Sequence, residues 1–87
     1  MNYDKEIRDF IVSNFLYGDA GSLHEETSFL DSGVIDSTGI LELVAFIEQK
    51  FQIKVLDQEM IPENLDSISR LSRFIDRKRA EVTAVNP

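Results

Sequence analysis

Between residues 37 and 51 the side chains Ile40, Leu43, Val44, Ile47 and Phe51 recur every three or four positions. That spacing draws one apolar stripe along a helix of 3.6-residue period. A stripe of this kind must be buried, so this one helix already requires others to pack against it. Just before it stands Asp36-Ser37, where short polar side chains can accept from the orphan amides of a first helical turn. The pattern predicts a tight loop, a helix over 37–51, and a serine hydroxyl held at the helix mouth with an acid beside it. If Asp36 makes the cap, the serine oxygen is left free. Plain capping by Ser37 is the competing reading.

The rest of the chain supplies the required partners. Tyr3, Ile7, Phe10, Ile11 and Phe15 share a face of a predicted first helix over 3–16, with Gly18 as its stop. A long connection follows, over 18–36. Its polar half holds His24, read as a solvated loop residue, and its apolar end holds Phe29 and Leu30, expected to tuck under the helices. A connection of this length in a small domain calls for a turn of helix, placed near 27–30. After Phe51, the alternation Gln52-Ile53-Lys54-Val55 predicts an extended link with Ile53 and Val55 inward. Pro62 suits the first turn of a short helix over 61–65. A last helix, capped by Asp66 or Ser67, turns Ile68, Leu71, Phe74 and Ile75 inward. Arg77, Lys78 and Arg79 stand at its expected C-terminal end, where the helix dipole favours cations. The expected fold is all-α: a small antiparallel bundle of three main helices and one short one, with a long first loop. The domain spans 1–80, and 81–87 form a flexible tail.

Charge narrows the classes of partner. Residues 1–66 hold fourteen Asp or Glu against four Lys or Arg, a balance of −10. Residues 67–87 hold two against five, a balance of +3, and the two together give the net charge of −7. An acidic body disfavours nucleic acid, whose phosphates need Lys and Arg. It suits steering onto basic protein surfaces, although acidity also serves plain solubility. With no cysteine, the chain has neither a disulfide nor a thiolate of its own. No apolar run approaches the ~20 residues that cross a bilayer, and the N-terminus carries no signal pattern, so a cytoplasmic protein without membrane contact is expected.

Asp-Ser occurs at 31–32, 36–37 and 66–67, so context has to single one out. Ser32 precedes a glycine in a loop, and Ser67 is most simply a helix cap. Only Ser37 lies within Gly-x-Ile-Asp-Ser-x-x-x-x-Glu-Leu-Val, running from Gly33 to Val44. This stretch resembles the attachment-site helix of acyl and peptidyl carrier proteins, and the resemblance extends over nearly the whole chain. It implies a freestanding carrier, itself no enzyme, with a 4′-phosphopantetheine arm taken from coenzyme A onto Ser37 by a phosphopantetheinyl transferase. The arm would tether acyl or aminoacyl groups as thioesters and deliver them to enzymes of fatty-acid-like, polyketide or nonribosomal-peptide-type biosynthesis. Asp36 would position or assist the serine, and Thr38, Leu41, Glu42, Ala45 and Glu48 would meet partner proteins. A monomer is expected.

Three features depart from the family pattern. Thr38 replaces the usual leucine after the serine. Gly39 costs the helix about 1 kcal/mol relative to alanine. The segment 56–65 is longer than in carriers of fatty acid synthesis. Together they suggest a carrier dedicated to a specialised pathway. Two rivals have less support from the residues. A hydrolase lacks a Gly-x-Ser-x-Gly elbow and has only His24 as a base. The acids of the 31–36 loop are too sparse for a twelve-residue calcium loop, and no metal is expected. The remaining alternative is an unmodified acidic helical module that binds a partner in trans.

Overall fold

The computed structural model describes residues 3–16 and 23–85, with side chains through Glu81. Its first helix, α1, spans Asp4–Phe15, with Asp4 and Glu6 in the first turn where the dipole favours acids. Tyr3, Ile7 and Ile11 are buried, while Phe10 and Phe15 pack partly against the same core. The expected stop at Gly18 lies outside the described residues; the helix ends with Leu16 as its C-cap.

The turn of helix expected near 27–30 is present two residues later, as α2 over Phe29–Ser32. Ser28 caps it, its hydroxyl accepting from Asp31 N–H at 3.1 Å. Gly33 closes it in the left-handed conformation, at φ 79°. Phe29 is fully buried, as expected, but Leu30 is 42% exposed. Successive helical residues point about 100° apart, so one turn cannot bury both neighbours.

The central helix α3 spans Ser37–Phe51, the range given by the stripe. Leu43, Val44, Ile47 and Phe51 are buried and Ile40 is half-buried. Gln52 ends it in the left-handed conformation, and Arg79 donates to the Phe51 carbonyl at 2.8 Å. The following link holds Ile53 and Val55 buried, as the alternation requires. A 3-10 turn over Asp57–Glu59, not anticipated, precedes the short helix α4, Pro62–Leu65, which has proline in its first turn.

The last helix, α5, spans Ile68–Val85 and packs against α1, α3 and α4. Ile68, Leu71, Phe74 and Ile75 are fully buried. Of the two possible caps the serine serves, Ser67 Oγ accepting from Arg70 N–H at 3.1 Å. Because α5 runs on to Val85, Arg77, Lys78 and Arg79 are interior to it and do not complement its C-terminal dipole. They tie other elements down instead. Arg77 donates to Asn64 Oδ1 at 3.1 Å, and Lys78 pairs with Glu59 at 2.9 Å. Both members of that pair are largely buried and inside hydrogen-bond reach. Bonding to Glu59 outweighs burial and raises the Lys78 ammonium above its usual range. Burial pushes the Glu59 carboxyl up, but the Leu56 N–H and Lys78 outweigh it and hold it below 4.5. Among the described residues no helix is long and apolar enough to cross a membrane.

Candidate functional site

The site begins with the choice between Asp36 and Ser37 as cap. Asp36 takes the extended backbone of an N-cap, at φ −91° and ψ −179°, and its Oδ1 accepts from Gly39 N–H at 2.7 Å. Its carbonyl accepts the first intrahelical bond, from Ile40 N–H at 3.0 Å. Ser37 is therefore the first helical residue. Its side chain is exposed, and its hydroxyl bonds to no described residue. One N-cap position takes one side-chain acceptor, Asp36 fills it, and Ser37 follows as the first residue of the helix.

Gly39 proves to be more than a weak helix former. It is buried, and a Cβ placed there would lie 2.8 Å from Ile35 Cγ2 and 2.9 Å from Phe15 Cε1. Only a residue without a side chain lets the first turn of α3 approach α1 and the preceding loop so closely. Sequence reasoning recorded the cost of this glycine and missed its packing. The signal was a glycine inside the first turn of a predicted helix, three residues after its cap.

Of the residues expected to meet partners, Thr38, Leu41, Glu42 and Ala45 are exposed along α3 beyond Ser37, with Leu41 at 59% exposure. Leu41 therefore does not widen the buried face of α3. Glu48 departs from the expectation. It is half-buried, and its Oε2 accepts from Val55 N–H at 2.9 Å, so its carboxylate braces the link after α3. His24 is exposed, as expected, and its backbone N–H donates to Thr27 Oγ1 at 2.9 Å.

A cavity of about 270 Å³ opens beside Ser37. Ile40, Met60 and Leu65 line it, and the exposed Leu30, Leu41 and Ile61 flank it. Ser37 and Asp66 are its polar members, so its wall is mostly apolar. Contiguous exposed apolar side chains around a concavity mark a place where a ligand or partner is received. The sequence hid this feature because its walls come from three separate segments, α2, α3 and residues 60–66, that only the fold brings round one space.

The described residues thus form a small helical bundle that presents an exposed serine hydroxyl at the mouth of a helix capped by the preceding aspartate. The chain belongs to the acyl carrier proteins of the phosphopantetheine attachment site family, which it matches over residues 10–75. It is 31% identical to an acyl carrier protein of Buchnera aphidicola, over 88% of this chain and 94% of that one. It is 25% identical to PigG of Serratia sp., a probable acyl carrier protein, over 88% of each chain. Among solved structures it matches a chain in "Crystal structure of FAD-dependent dehydrogenase" with a TM-score of 0.71 and 30% identity, over 79% of this chain and 97% of that one.

The prosthetic group of the family is 4′-phosphopantetheine, and the residues present fit it. Asp36 occupies the Gly39 amide and leaves Ser37 Oγ outward and unbonded. A phosphodiester on that oxygen would sit at the positive end of a 15-residue helix, where anions are favoured.

Proposed function

We propose that the chain carries acyl or aminoacyl groups on a 4′-phosphopantetheine arm attached to Ser37. The observation that carries this reading is the free, exposed Ser37 hydroxyl beside a capping Asp36. When bound, the arm supplies a thiol that holds cargo as a thioester, a group that a chain without cysteine lacks. The chain's own residues do the rest. Asp36 fixes the first turn of α3, so the serine meets the phosphopantetheinyl transferase in one orientation. Thr38, Leu41, Glu42 and Ala45 form the surface offered to the transferase and to downstream enzymes, with acidic steering toward basic partners. Docking a tethered substrate replaces dilute encounter with a high local concentration at each active site.

The mostly apolar cavity favours cargo with a hydrocarbon portion. Thr38 and the long 56–65 segment support a dedicated biosynthetic pathway, and a cytoplasmic monomer is proposed with it. The likeness to a chain solved in the structure of an FAD-dependent dehydrogenase suggests a partner class, a flavin-dependent dehydrogenase acting on the tethered group. A second reading, an unmodified module that binds a partner through the same exposed face of α3, shares every surface feature and lacks only the arm.

Intact mass before and after incubation with coenzyme A, magnesium and a broad-specificity phosphopantetheinyl transferase separates the two. A gain of one phosphopantetheinyl unit, mapped to the Ser37 peptide and lost in Ser37→Ala, is expected. A folded protein that gains nothing while a control carrier is modified would favour the unmodified module.

A further inference from the structure

At the junction of α4 and α5, Asp66 is only 8% exposed although it is an acid. All of its acceptors serve one short stretch of the chain. Its carbonyl accepts from Phe29 N–H at 2.9 Å, its Oδ1 accepts from Leu30 N–H at 2.9 Å, and its Oδ2 accepts from the Ser28 hydroxyl. A buried carboxylate needs such donors; the informative point is where these donors lead. Leu30 flanks the cavity beside Ser37, and Asp66 itself lines it. Phe29 in turn holds the loop into α3, its carbonyl accepting from Ile35 N–H at 3.2 Å. A helix of one turn has almost no stability of its own. α2 is such a helix, so its position depends on the buried Phe29 ring and on Asp66. The neighbouring Ser67 already caps α5, and Asp66 closes α4 through its backbone N–H alone, so its carboxylate is not used by either helix.

We infer that Asp66 is a positioning residue that fixes the α2 wall of the cavity and so sets which tethered acyl chains find shelter there. The inference rests on the reading of Ser37 as the arm's attachment point. Losing the carboxylate frees the Leu30 amide and the Ser28 hydroxyl together; the backbone bond to Phe29 N–H and the buried ring remain, so α2 loosens at Leu30 and the cavity loses a fixed edge there.

The test uses the full chain with the arm in place, loaded with either an octanoyl or an acetyl group, and follows thioester half-life toward hydroxylamine. In the wild type, octanoyl is expected to outlast acetyl severalfold. Asp66→Ala should erase most of that excess while leaving the acetyl half-life unchanged, a difference that a merely structural loss would not produce. Asp66→Asn, which keeps an acceptor for Leu30, should fall between them and decides the matter if the alanine variant does not fold. In the unloaded protein, amide hydrogen exchange at Leu30 should speed up in Asp66→Ala while the Leu71 and Ile75 amides stay protected. A wild-type octanoyl-to-acetyl ratio in folded Asp66 variants overturns the inference, as does equal decay of both cargoes in the wild type. Failure of the arm to attach at Ser37 would appear earlier, in intact mass, and would overturn the carrier reading itself.

Discussion

Asp36→Ala and Ser37→Ala differ by one position and should have opposite consequences. Among the described residues Asp36 supplies the side-chain cap of α3, through a 2.7 Å bond to Gly39 N–H. Replacing an aspartate N-cap with alanine costs about 0.5–2 kcal/mol, and a short, partly buried bond to a charged acceptor belongs in the upper half of that range. Taking about 1.5 kcal/mol, a domain of this size should melt about 6–12 °C lower. Ser37 has no bond to lose among the described residues, and alanine is the slightly better helix former, so Ser37→Ala should melt within about 2 °C of the wild type. Loading reverses the order: Ser37→Ala should accept no phosphopantetheinyl unit, whereas Asp36→Ala, still carrying the hydroxyl, should accept one more slowly. Thermal unfolding by far-ultraviolet circular dichroism and intact mass read the two effects on the same samples. If Ser37→Ala lost as much stability as Asp36→Ala, the serine would share the cap and its hydroxyl would not be the free group described above.

Gly39→Ala sets a propensity gain of about 1 kcal/mol against an overpacking cost of about 1–3 kcal/mol. Ile35 is almost fully buried and cannot yield, so a lower denaturant midpoint with an unchanged slope is expected; a higher midpoint would refute the close approach. Phe29→Ala removes a fully buried ring and should cost about 3–5 kcal/mol, measured by urea unfolding. The Glu59–Lys78 pair gives two pH limits. Glu59 titrates lower in the folded than in the unfolded chain, so its contribution is complete above about pH 4.5 and fades as pH falls through its folded value. Lys78 titrates higher when folded, so its contribution persists through about pH 10.5 and fades above it. Melting curves against pH should flatten at the acid limit in Glu59→Gln, and an unchanged acid limit would show that other carboxylates govern it.

The three long helices were legible because each carries a stripe whose period is set by the helix itself. Ile40 to Phe51 and Ile68 to Ile75 needed no knowledge of their neighbours. Ser37 was legible because capping is a local matter of a few residues. The remainder was not local. The period of a stripe gives no sign of where α5 stops once its inward residues are spent, so its run to Val85 lay beyond the pattern. Whether Leu30 shared the burial of Phe29 depended on the direction of one short turn. The bonds of Glu48 to the link after α3, and of Asp66 to α2, join segments that the chain order separates. The cavity is the same case on a larger scale, since no single segment encloses it.

The two ends of α3 are fastened very differently. At Phe51 the helix meets Arg79 from α5, an edge-on contact with the Tyr3 ring at 5.0 Å, and the brace from Glu48. At Ser37 it rests on one aspartate and a glycine contact. The helix is thus a cantilever, clamped at its far end and loaded, if at all, at its tip. Strain applied when an enzyme grips the serine should be taken up in the first turn and die out by the fully buried Leu43. Slow-exchanging amides would then mark a gradient along a single helix, from yielding at the serine to rigid at Phe51, and the group the protein bears would be moved without disturbing the core that holds it.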